Sequence, residues 1–392
     1  MQELYSGLNR LETMLTVEVP LFLGLFGPVS SDSFNNPLAY VIWFAPIALL
    51  MLYGQKLQSW MILGDLSKSL TKLGTMKEAA RTDIVEYVRS SFRPSSDPAE
   101  KVDKLLEYFA IMPVDLDPQG IIRKLDHILR TKDERIRQEL KRMADGVTEL
   151  QVSRLENVIE AATALNMIYK TVRHFYLVGK RTTGMFVLLQ LQMVMPLLLE
   201  EAEALEGAIS AFKRGLPIGD GIGPMVVGKM MVGKEKKLIA KETVYSESLQ
   251  MGRKLYLLKA EGPAGTVGRP GEAVLRLVGE LGVRIDAIIT IDASLKLEGE
   301  KTGAIAEGVG SAIGGIGVER FQIEDVATNF RIPLYAIVVK ESVQDAITTM
   351  RKEISDSSDN LQETISSIIK DKTLEGDSIL VIGVGNTAGV GQ

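Results

Sequence analysis

Between two aspartates, Asp286 and Asp292, the chain runs Ala287-Ile288-Ile289-Thr290-Ile291 with no alternation of polar and apolar positions. A strand with one wet face alternates, whereas a strand covered on both faces reads as a continuous apolar run. The segment therefore predicts an inner strand of a parallel sheet with helices on either side. Few folds can hold such a strand. Asp292 then stands at its carboxyl end, the edge where open α/β sheets keep their ligand sites.

The surrounding sequence agrees. From Gly215 onward glycine becomes frequent, and strand-like runs at 254–258, 287–291, 334–339 and 378–382 alternate with helical patterns at 224–231, 270–281 and 343–354. Alternating β and α units predict an α/β domain over residues 214–392 with a mainly parallel sheet. Three glycine-rich loops lie within it. The first is Gly219-Asp220-Gly221-Ile222-Gly223-Pro224, where Pro224 can open a helix. The second, 262–272, contains Gly265, Thr266 and Gly268; the third, 308–317, contains Gly308 and Gly310, with Glu307 directly before it. Each alone reads as a structural turn. Together, with acids in or beside two of them, they predict a cleft where backbone closely approaches a ligand or peptide, with Asp220 and Asp292 as the reactive pair.

Upstream, residues 56–213 are helical by pattern and offer no catalytic constellation. Residues 1–55 hold two apolar stretches. The first, 17–29, is short and broken by Glu18, Pro20 and Pro28, which reads as interfacial or re-entrant. The second, 38–53, carries no charge and has Tyr40, Trp43 and Tyr53 near its ends. With flanking Pro37 and Gly54 it reaches the lower limit of about 17–20 residues for a spanning helix. The core of a soluble helix is the rival reading. Lys56, Lys68, Lys72, Lys77 and Arg81 follow this span and only Arg10 precedes it, so the positive-inside bias puts the long C-terminal part in the cytoplasm. Residues 185–199 are apolar too, but Gln190, Gln192 and Pro196 and the glutamates behind them predict a buried bundle helix.

Composition removes several classes of function. A formal net charge of −5 leaves no basic excess for nucleic acid. The absence of cysteine excludes disulfides, thiol catalysis and thiolate metal sites. The two histidines, His127 and His174, lie far upstream of the acids.

In order and wording, the segments Gly219–Pro224, 262–272, 286–293, 306–317 and 332–339 resemble the bacterial spore germination protease, and more distantly the hydrogenase maturation endopeptidases. The resemblance covers about residues 215–345. The layout of the whole chain also resembles an archaeal membrane-protein family that names no activity. The protease resemblance implies a phosphorylase/hydrolase-like fold and places that family's two acids on Asp220 and Asp292. The hydrogenase endopeptidases add a histidine on a metal. No histidine follows His174, so the acid pair alone fits better, with a divalent cation between Asp220 and Asp292 as the further option.

Two carboxylates held close cannot both ionise cheaply, so one keeps a proton. The ionised partner can activate water while the protonated one polarises a carbonyl or protonates a leaving amine. This predicts a membrane-anchored, cytoplasm-facing hydrolase, an endopeptidase acting on a protein or peptide. The alternative is a catalytically inactive membrane scaffold or sensor that binds a ligand or peptide in the glycine-rich cleft. The resembled families place a strand ending in Gly-x-Gly-Asn directly before the Gly-Asp-Gly loop. Here that strand is missing from its place, while Ser378-Ile379-Leu380-Val381-Ile382-Gly383-Val384-Gly385-Asn386 closes the chain. A circular permutation follows as the expectation, with the last strand central and the Asn386 amide beside Asp220.

Overall fold

The structure, a computed structural model, describes residues 37–94, 96–113, 120–143, 146–182, 184–315 and 317–391. Three long helices dominate the first half: α1 (Pro37–Phe92), α4 (Glu149–Thr182) and α5 (Met185–Arg214), with the shorter α2 (Ala99–Leu106) and α3 (Ile121–Lys141) beside them. Their apolar residues recur every three or four positions, which lays one stripe on each helix. On α1 the stripe is Leu66, Leu73, Met76, Ala80, Ile84 and Val88; on α4 it includes Leu155, Ile159 and Leu165; all are buried in one shared core. Salt bridges and contacts fix the relative direction. Ser59 meets Met185, Lys72 meets Glu203 and Asp83 meets Lys213, so α1 and α5 run the same way. Gly74 lies against Tyr169 and Ser91 near Gln151, so α4 runs against them. The bundle stops where Gly215 takes a left-handed conformation at φ 64°, with Lys213 and Arg214 in the last turn.

Helix α1 passes through positions 55 and 56 without a break, so the boundary expected there is no backbone boundary. Among the described residues one helix, α5, is long and apolar enough to cross a membrane by length and composition; 22% of its apolar window is buried. The span expected at 38–53 lies in the first turns of α1, where most side chains are outside the described residues, and the stretch 17–29 is outside them altogether.

The second half is a seven-stranded sheet with α helices on both faces. Its strands are β1 (Lys237–Ala240), β2 (Thr243–Gln250), β3 (Arg253–Ala260), β4 (Ala287–Leu295), β5 (Ile305–Val309), β6 (Leu334–Glu341) and β7 (Ser378–Gly383). Their order is β1-β2-β3-β7-β4-β6-β5. The pairs β3–β7, β7–β4 and β4–β6 are parallel, and the pairs β1–β2, β2–β3 and β5–β6 are antiparallel. The expectation of a mainly parallel sheet is therefore corrected: the centre is parallel and both margins are antiparallel. On one margin the cause is local. Met251 and Gly252 both take positive φ, which closes β2 and β3 into a tight hairpin.

The last strand in the sequence is central, as expected. Leu380 pairs with Tyr256 on one side and Ile288 on the other. Residues of β4 alternate between two buried cores. Ala287, Ile289 and Ile291 face α6 (Ile222–Met230) and α10 (Lys352–Lys372). Ile288 faces α7 (Pro270–Val274), the wider turn that continues it to Glu280, and α8 (Val318–Asn329). The helical pattern expected at 270–281 thus changes pitch midway, and the one at 343–354 is two helices, α9 (Val343–Ile347) and α10. At about 1.5–3 kcal/mol for each buried Leu or Ile side chain, these two layers hold the sheet.

Candidate active site

The site is built at the carboxyl ends of β4, β6 and β7. Asp292 is the sixth residue of β4, 4% exposed. Its Oδ2 accepts the Gly314 N–H at 2.9 Å, and its Oδ1 accepts the Ala293 N–H at 2.8 Å. Gly314 belongs to the third glycine-rich loop, which turns back over the sheet after β5 and is tied to β4 by Ala312 N–H donating to Thr290.

Asp220 arrives from the other direction. The loop Gly219–Gly221 forms one 3-10 turn ahead of α6, wedged between β4 and the end of β7. A side chain at Gly223 would run into the carbonyls of Val384 and Ile291. Beyond β7, Gly385 at φ 130° lies flat against the Asp220 backbone, where only glycine fits. The next residue, Asn386, donates its backbone N–H to Asp220 Oδ2 at 2.7 Å.

Burial pushes the Asp292 carboxyl up to about 8, and the charge of Asp220 pushes in the same direction. Burial raises Asp220 as well, against the Asn386 hydrogen bond that lowers it. Asp220 retains some exposed surface as a residue, while its carboxyl is crowded on all sides by heavy atoms. The charge of Asp220 is felt at Asp292, so the titrations of the two acids are linked.

A third carboxylate stands with them, and the sequence reading did not single it out. Glu341, the last residue of β6, is fully buried, and neither of its oxygens has a hydrogen-bond partner among the described residues. Burial raises it to about 8, with further upward pressure first from Asp220, then Asp345 and Asp292. Its Oε2 occupies the space where a side chain on residue 219 would have to go. The signal that could have found it was present: an acid at the carboxyl end of an apolar strand-like run, as with Asp292. Asp345 nearby is different in kind. The Ser342 backbone N–H, the Thr302 hydroxyl and the Arg351 guanidinium all donate to its carboxylate and hold it below the usual range against burial.

The other expected residues divide. Gly219, Gly221 and Gly223 form the acid-bearing loop. Gly265, Thr266 and Gly268 lie one step away, lining a cleft of about 550 Å³ between the helical bundle and the sheet domain. Asn386 is the partition. The sequence placed its side-chain amide beside Asp220; instead the amide donates to Asn157 Oδ1 on α4 at 2.9 Å and to the Gly265 carbonyl at 3.2 Å. Asn157 also donates to Gly265, so the bundle itself holds this loop. Glu307, Gly308 and Gly310 sit on and after the edge strand β5; Gly308 pairs with Ala336, two rows below Val338, the partner of Asp292. They line the outer margin of the sheet rather than the acid centre.

Among the described residues, no group of three or more histidine, cysteine, aspartate or glutamate side chains is arranged to hold a metal ion. Residues 40–215 match the family model described as the N-terminal domain of a protein of unknown function (DUF1512), and residues 218–391 match its C-terminal domain. No curated protein matches the chain. With the two models meeting where α5 ends, and covering nearly its whole length, the chain belongs to the DUF1512 family.

Proposed function

We propose that the protein is a membrane-anchored hydrolase, an endopeptidase whose acid pair Asp220 and Asp292 activates water against a peptide bond. One observation carries the reading: two buried carboxyls, Asp292 on β4 and Asp220 on the loop ahead of α6, stand at the strand ends, with burial raising the proton affinity of both and the charge of Asp220 adding to that of Asp292. Such a pair holds one base and one acid together at neutral pH, which is what amide hydrolysis requires. The resemblance to the spore germination protease points to the same two residues, with the family's first strand supplied last by a circular permutation. The apolar run 38–53 serves as a single span, and the lysines after it keep the catalytic domain in the cytoplasm. The substrate on this reading is a protein or peptide.

The test compares cells producing the wild-type chain with cells producing Asp292→Asn, by labelling newly formed amino termini. A set of termini that vanishes in the variant supports the peptidase. Identical sets in both cells, with the variant folded, sink it.

A second reading has its own support. The cleft beside Asn386 lies between bundle and sheet domain and is lined by Tyr108, Met167 and Val267 together with charged groups. A scaffold or sensor would bind its ligand or peptide there without using the acids. Under that reading, Asp292→Asn leaves the phenotype of the wild type intact.

A further inference from the structure

The end of the helical bundle that lies beside α1 residue Ser59 carries an unusual surface. Here the turn between α4 and α5 comes level with Ser59, whose hydroxyl donates to Met185. Trp60 is 73% exposed and Phe186 72%, and Tyr53, Leu57 and Met61 on α1 and Leu177 on α4 are exposed around them. Charge is equally one-sided. Residues 38–64 and 175–199 contain no aspartate or glutamate, while Lys56, Lys180 and Arg181 fall within them, in a chain of net charge −5. Among the described residues none of these three meets a carboxylate.

Length makes the arrangement specific. From Pro37 to Tyr53, α1 covers about 24 Å at 1.5 Å per residue, near the lower limit for the ~30 Å hydrocarbon core of a bilayer, and Ser59 lies about 9 Å further on. A span ending at Tyr53 therefore leaves the turn at headgroup level, with aromatic side chains and cations facing the lipid. Helix α5 does not cross beside it. The α1 residues level with the apolar half of α5 include Asp65 and Lys68, whose side chains are 64% and 82% exposed. A charged pair so exposed at that depth has no place in hydrocarbon.

We infer that the α4–α5 turn, with Trp60 and Phe186 as its apolar contacts and Lys180 and Arg181 as its cations, docks on the surface of a bilayer containing anionic phospholipid. The inference rests on the membrane reading above and adds to it a second, peripheral contact that fixes how the bundle stands on the membrane. Aromatic rings at the interface and bases against acidic headgroups are the recurring chemistry of such contacts.

The chain has two tryptophans, so full-length protein carrying Trp43→Phe reports on Trp60 alone. It is reconstituted into phosphatidylcholine vesicles with and without phosphatidylglycerol, and quenching by phospholipid brominated near the headgroup end of the acyl chain is read. Trp60 should be quenched in the anionic vesicles and less so in the neutral ones. Lys180→Gln and Arg181→Gln should each weaken the docked state about fivefold, in line with the usual contribution of one base at an anionic surface. Vesicle-bound protein whose Trp60 is unquenched overturns the docking and leaves the anchor standing. If that protein is also dimeric by cross-linking, the patch belongs to a second copy. Protein that does not float with vesicles at all removes the anchor and this inference with it.

Discussion

Asn386 donates its backbone N–H to Oδ2 of Asp220 at 2.7 Å, across 166 positions of sequence. Its side chain points the other way, into the bundle, where it binds Asn157. One residue at the end of the central strand thus ties the acid loop to both halves of the protein. Asn386→Ala keeps the backbone bond and loses three side-chain hydrogen bonds, the two donated to Asn157 and Gly265 and the one accepted from the Ala388 N–H. The expected outcome is a loss of about 1–2 kcal/mol in urea unfolding. Asp220 should remain in place, so activity should fall less than stability.

Stability should decline as the pH rises from 5 to 9. Asp292 and Glu341 are raised in the folded protein to about 8. Their contribution is fully present below the unfolded carboxylate pKa near 4, and is lost as pH rises through about 8, because the unfolded chain releases these protons first. Lys259 works the opposite way: buried and lowered to about 8, it disfavours the fold as pH falls through that value. With two acids against one base, the acids should dominate. Thermal melts across this range check it; a flat profile, or one rising with pH, contradicts the assignment.

Glu341→Gln should flatten that profile. The amide keeps the size of the side chain but removes a charge that Asp220 repels and that no donor compensates. At pH 8.5 the variant should melt higher than the wild type, and at pH 5 the two should coincide. Each pKa unit of relief is worth about 1.4 kcal/mol. The acid pair should also titrate lower, which moves the pH dependence of any hydrolysis toward acid.

Deleting residues 377–392 removes β7, which is buried and paired on both sides. The sheet domain should lose cooperative unfolding or become insoluble. A truncated chain that melts like the intact one would show that β3 and β4 close up without it.

Removing residues 1–55 should release the protein from the membrane fraction. Full-length protein that is soluble without detergent rules out the span at 38–53.

The sequence determined the inner strands and the acid at the end of one of them. Burial on both faces demands a continuous apolar run, and Ala287–Ile291 and Ile379–Ile382 satisfy it at any register. It also placed the last strand at the centre, since so apolar a segment has no stable home at an edge. The margins were not legible. Strands β2 and β5 are half exposed, with residues such as Glu247, Gln250 and Glu307 that read equally well as loop. What makes them strands is a neighbour with free backbone groups, which only the assembled sheet provides. Glu341 shows the same limit at the site. Its sequence position marks the polar end of a strand; its burial follows from Gly219 and Asp220 closing over it from more than a hundred residues away. Local pattern fixes which segments must be buried. Only the tertiary structure decides which polar groups are buried with them, because that depends on what arrives from elsewhere in the chain.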